Sequence, residues 1–180
     1  MWKLLTGMLG TEGFEGLLPK NLKIEMQNFL PHEFGIGLTS IALIAGNTAT
    51  DLSKELMWSW IPNFYARLKA HVQRVRESTG NVGYSSPAIV AFTGKRQFQL
   101  LYKNPPTKIE YGKLLEAMPL PDNWPYPRDS CEIWVLPSSS GRSGLTHDER
   151  SGPYEQLARK YRYLISVQKD MHREENKEDE

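Results

Sequence analysis

Glu132-Ile-Trp-Val-Leu-Pro-Ser-Ser-Ser-Gly-Arg-Ser-Gly144, EIWVLPSSSGRSG, decides the reading of this chain, because a short apolar run breaks at once into small hydroxyl residues and glycines around one arginine. A continuous apolar stretch of this length, bounded by turn formers, has the pattern of a strand buried on both faces of a sheet. In open α/β sheets ligands sit beyond the carboxyl ends of the strands, so the loop after EIWVL stands where a site belongs. Ser138, Ser139, Ser140 and Gly141 leave the backbone N–H groups uncovered and open to a phosphate or a base. Arg142 can bond a phosphate in bidentate fashion or stack in a gap between bases. The competing reading is a plain connecting loop, since Ser and Gly are common loop formers.

Outward from this stretch, AIVAF (88–92) is another buried-strand pattern, and GIGLTSIALI (35–44) reads as a strand whose glycines mark close backbone approach. Between them a helix begins near Asp51 or Ser53, either of which can cap it, with Glu55 in the first turn. Pro62 kinks or restarts that segment, and Phe64, Leu68, Val72 and Val75 then fall along one face. Gly94 opens GKRQFQLLY as a second helix. Residues 103–130 read as an irregular excursion with a possible short strand, KIEY. A last helix is expected from about Pro153, with Tyr154, Leu157, Ala158, Tyr161, Leu164 and Ile165 as its apolar stripe. At the amino end, Trp2, Leu4, Leu5 and Met8 predict a helix over 2–9. This alternation implies an α/β fold with a short, mostly parallel sheet, right-handed crossovers and helices on both faces. Residues 1–170 are expected to form one domain, and the charged stretch 171–180 to fray into solvent.

Composition narrows the function. The 180 residues carry 22 basic and 21 acidic side chains, a formal charge of +1, so binding to a polyanion requires a local patch. Cys131 is the only cysteine, which excludes an internal disulfide and fits a reducing compartment. No apolar run reaches the ~20 residues of a membrane span. His32, His71, His147 and His172 have no ligand spacing, so no metal is expected. A serine hydrolase fails on its own motif, since a nucleophile elbow needs G-x-S-x-G and the chain reads Gly141-Arg142-Ser143-Gly144. Thr93-Gly94-Lys95 lacks the P-loop frame, although Lys95 remains a plausible phosphate contact.

GIGLTS, DLSKEL, AIVAFTGK and EIWVLPSSSGRSG, taken in order from Trp2 to about Leu164, resemble the family of mismatch-specific uracil-DNA and thymine-DNA glycosylases. Members of that family carry P-S-S-S-x-R or P-N-P-S-G after the last of these strands, and Pro137 to Arg142 match the first form. The resemblance implies a three-layer α/β/α fold like that of uracil-DNA glycosylases. It also implies an enzyme of base-excision repair that flips a uracil or thymine mispaired with guanine out of duplex DNA and hydrolyses its N-glycosidic bond. It implies a monomer without a cofactor, nuclear in a eukaryote and cytoplasmic otherwise. Carried over residue by residue, Arg142 would fill the gap left by the flipped nucleotide, Gly141 would permit close approach, and Ser138, Ser139 and Ser140 would contact the DNA backbone. Thr39 matches a threonine near the catalytic pocket, and Lys54 and Lys95 match positions where some members place basic residues. The family's catalytic G-x-N-P-G, whose asparagine orients the attacking water, is nowhere in this sequence. The resemblance places it on a first strand ahead of Trp2 and so implies an amino-truncated form. Two further readings stand beside the enzyme: a catalytically inactive DNA-binding form that keeps the wedge loop, and an unrelated α/β module whose Ser-Gly loop binds phosphate.

Overall fold

A computed structural model describes residues 1–10, 14–43, 52–138 and 144–178, with side chains described as far as 170. The elements in chain order are α1 (Trp2–Leu5), a 3₁₀ helix (Ile24–Phe29), α2 (Leu30–Phe34), α3 (Lys54–Ser59), α4 (Ile61–Thr79), β1 (Ile89–Thr93), α5 (Lys95–Gln99), β2 (Gly112–Lys113), β3 (Glu132–Leu136) and α6 (His147–Glu178). The chain is mixed α/β and divides into two compact units, one joining Met1–Ile36 to Leu136–Glu180 and the other made of Gly37–Val135.

The second unit holds the sheet, in the order β1-β3-β2. EIWVL forms its middle strand over the span the sequence predicts, and Ile133, Trp134 and Val135 are all buried there. β2 runs antiparallel to β3, with Gly112 opposite Val135 and Lys113 opposite Trp134. The sheet is therefore mixed rather than mostly parallel. A two-residue strand returning from the irregular 103–130 excursion pairs by simple reversal, whereas a parallel partner needs a crossover. KIEY itself is not a strand; pairing begins one residue after it, at Gly112.

α4 supplies the other half of this core. The spacing of 3 and 4 places Phe64, Leu68 and Val72 on one stripe, with Tyr65 beside them. All four are buried against Phe92, Phe98, Leu101, Tyr102, Tyr126 and Val135. Ser53 caps α3 by accepting from the Leu56 N–H at 3.1 Å, and Pro62 stands in the first turn of α4, which restarts after Trp60. Gly94 turns β1 directly into α5 at φ +145°, a backbone value that side-chain-bearing residues rarely adopt.

The expected strand over 35–44 is absent among the described residues; 36–43 is irregular. Gly35 is used to end α2 at φ +61°, and the Ile36 N–H bonds back to the Leu30 carbonyl. Leu38 and Leu43 are then left about half exposed with no ladder beside them.

In the first unit α1 packs on α6, the 3₁₀ helix packs on α2, and hydrogen bonds tie the segments around them to α6. Tyr161 Oη donates to the Phe34 carbonyl at 2.5 Å, and Arg162 donates to the carbonyls of Glu15 and Gly16 at 2.8 and 3.0 Å. α1 is shorter than the predicted 2–9, because Gly7 turns the chain at φ +71° and leaves Met8 exposed. Gly16 approaches this turn so closely that a Cβ there would lie 2.3 Å from the Leu5 carbonyl oxygen. α6 starts six residues before Pro153, at His147, and the proline sits within its second turn. Among the described residues no helix is long and apolar enough to cross a membrane.

Candidate functional site

The loop after β3 has two feet, both in the first unit. At the leading foot, Leu136 and Pro137 are almost completely buried. Tyr154, 1 % exposed on α6, donates its hydroxyl to the Pro137 carbonyl at 3.0 Å. Burial pushes the Tyr154 phenol up to about 12, so at neutral pH it carries the proton that this bond requires.

At the trailing foot Thr146 and Glu149 close a reciprocal cap on α6. Glu149 Oε2 accepts from the Thr146 N–H and from Thr146 Oγ1, both at 2.8 Å, while Thr146 Oγ1 accepts from the Glu149 N–H at 3.3 Å. This is a capping box, satisfying two backbone donors that a helix start leaves open. The backbone and hydroxyl donors of Thr146 hold the Glu149 carboxyl below its ordinary value. Asp148 and Glu149 in the first turn complement the helix dipole as well.

Of the residues singled out in the sequence, Ser138 is half-buried directly after the leading foot, while Ser139, Ser140, Gly141 and Arg142 lie outside the described residues. Thr39, Lys54 and Lys95 belong to the second unit. Thr39 is exposed on the irregular segment before α3. Lys54 opens α3 with its Nζ 4.4 Å from the centre of the Trp58 ring, one turn on. Lys95 opens α5 with its Nζ 4.0 Å from the Tyr111 ring. Each cation is thus held against its own aromatic face, an arrangement that orders the side chain without neutralising it. Glu110 is held below the usual carboxylate range by its hydrogen bond from Lys108 and by that charge, with Lys95 adding to the effect.

No family model and no curated protein matches this chain. The site therefore rests on its geometry. Cys131 does not contribute a nucleophile: it is buried, and burial with the neighbouring Glu132 pushes its thiol up to about 12. Among the described residues no three His, Cys, Asp or Glu side chains cluster as metal ligands would.

The sequence reading missed both anchors. Thr146-His-Asp-Glu149 is an S/T-x-x-E signature and was the available signal for the helix start. The Tyr154 hydroxyl bond had no local signal, because its partner is 17 residues away. Tyr154→Phe keeps the ring and removes the bond, leaving a buried carbonyl unpaired. We expect it to cost about 1–3 kcal/mol in denaturant unfolding of the first unit, and a value near zero would show that the foot is held by packing alone.

Proposed function

We propose that this chain is a DNA-binding protein of the mismatch-specific uracil-DNA and thymine-DNA glycosylase family, and that loop 138–144 is the wedge that opens duplex DNA at a G·U or G·T mismatch. The observation that carries this reading is the pair of anchored feet, Pro137 under the Tyr154 hydroxyl and the Thr146–Glu149 cap. A wedge must displace a stacked base, which takes a few kcal/mol, and a loop whose ends are already ordered loses less entropy in doing so. Arg142 is the group that fills the gap, Ser138, Ser139 and Ser140 contact the backbone, and Lys54 and Lys95 supply phosphate contacts. The finer architecture of this proposal is the three-layer fold of the uracil-DNA glycosylases.

Excision of the flipped base is the family's chemistry, but it needs a water oriented by the asparagine of G-x-N-P-G, and no such motif occurs here. Binding and opening of the duplex are the steps that the residues at hand support. The test is the affinity of the full chain for a G·U duplex against the matched G·C duplex, with abasic-site formation followed in parallel. Tighter binding to the mismatch, lost in Arg142→Ala, is the expected result. Equal affinity for both duplexes overturns the wedge, and abasic-site formation tells whether excision follows the opening.

A further inference from the structure

We propose that the face of α4 carrying Arg67, His71 and Arg74 is a docking surface for the phosphate backbone of duplex DNA. Between Ile61 and Arg76 the sequence has Arg67, Lys69, Arg74 and Arg76 and no acidic residue, in a chain whose formal charge is only +1. Spacings of 4 and 3 bring Arg67, His71 and Arg74 onto one flank of the helix, while Lys69 and Arg76 fall on the opposite flank of the buried stripe. None of the four cations pairs with a carboxylate among the described residues.

The flank is partly ordered in advance. Arg67 donates to the Ser40 carbonyl and to Asn63 Oδ1, the latter at 3.5 Å, with its guanidinium 6.0 Å from the Phe64 ring. These partners fix the side chain and leave its charge in place. Arg74 is exposed and His71 half-buried, and burial, with the Arg74 charge adding to it, holds the imidazole below its ordinary value. At ~1.5 Å per residue, Arg67 and Arg74 stand ~10 Å apart along the helix. At ~3.4 Å per nucleotide of one strand, that distance is about three steps of a duplex.

An anionic membrane is the rival polyanion, and the helix is built wrongly for it. An interfacial helix offers an apolar face to the acyl region. Here Phe64, Tyr65, Leu68 and Val72 are spent in the core, and α4 has no large hydrophobic residue among the exposed ones.

This inference shares with the wedge proposal only the identity of the polyanion, and its test uses a fully paired duplex, where no base is mispaired. The affinity of the full chain is measured as a function of salt. Each phosphate contact contributes about 0.9 to the slope of log affinity against log salt. Arg74→Gln is expected to flatten the slope by about that amount, whereas Lys69→Gln, the same change of charge on the other flank, leaves it nearly unchanged. Equal effects of the two variants, no effect of Arg74→Gln, or displacement of the duplex by phosphatidylserine vesicles overturns the α4 surface. Loss of mismatch preference with the Arg74 effect intact would sink the wedge and leave this surface standing.

Discussion

Phe98→Ala is expected to destabilise the second unit by about 3–5 kcal/mol, a large part of the 5–15 kcal/mol that holds a typical domain together. Phe98 is fully buried, with its ring 5.3 Å from Phe92 on β1 and 5.3 Å from Tyr102. It sits on α5, a five-residue helix far too short to persist on its own propensity. The ring is therefore what fastens α5 to β1. Removing it both opens a cavity and releases the segment that begins with Lys95. Urea unfolding read by circular dichroism measures the loss. Val82→Ala, at a residue 85 % exposed, serves as the reference and should stay within about 0.5 kcal/mol of the parent. A Phe98→Ala loss below about 1 kcal/mol would mean that the ring is not packed as described.

The same contrast between buried and unburied apolar residues explains what could be read in the sequence. EIWVL and the Phe64–Leu68–Val72 stripe were legible because period and length agree with burial on both faces in one case and on a single face in the other. The Ser53 cap was legible because one hydroxyl meets one N–H three residues on. GIGLTSIALI misleads for a physical reason: its first glycine serves the end of α2, a use that an apolar-run pattern cannot distinguish from a close approach within a strand. β2 was illegible, since Gly112 and Lys113 have no pattern of their own and become a strand only by pairing with Val135 and Trp134. In the site, the composition of the loop was readable and its anchoring was not. Tyr154 was expected as one more residue of the α6 stripe, and it is that, but its hydroxyl also holds Pro137, a long-range bond that no local spacing announces.

Raising the pH should dismantle the protein steeply above about 10, and more steeply in the second unit than in the first. Tyr102, Tyr126 and Tyr154 donate their hydroxyls to the carbonyls of Pro119, Leu68 and Pro137 at 2.9, 2.8 and 3.0 Å. A phenolate has no proton to donate, and burial already disfavours its charge. Burial is the leading cause for each, with Tyr102 and Tyr154 pushed up to about 12 and Tyr65 and Tyr126 also raised. The unfolded chain, with phenols near pKa ~10, releases its protons first, so the folded state binds more protons over the interval between the two values. Stability is therefore complete below about pH 10 and falls as pH rises toward 12, by about 1.4 kcal/mol per pH unit for each phenol still protonated in the fold. Tyr65, Tyr102 and Tyr126 lie in the second unit with Cys131, whose thiol is raised as well, against Tyr154 and the more modestly buried Tyr161 in the first. Denaturant midpoints measured at about pH 8, 10 and 11, with tyrosinate absorbance alongside, read both the slope and the ionisation. Phenols that ionise near 10 while the midpoint stays flat would show that these rings are not buried. In the first unit, Tyr154→Phe should flatten the alkaline decline, because the variant has no proton left to lose at the foot of the loop.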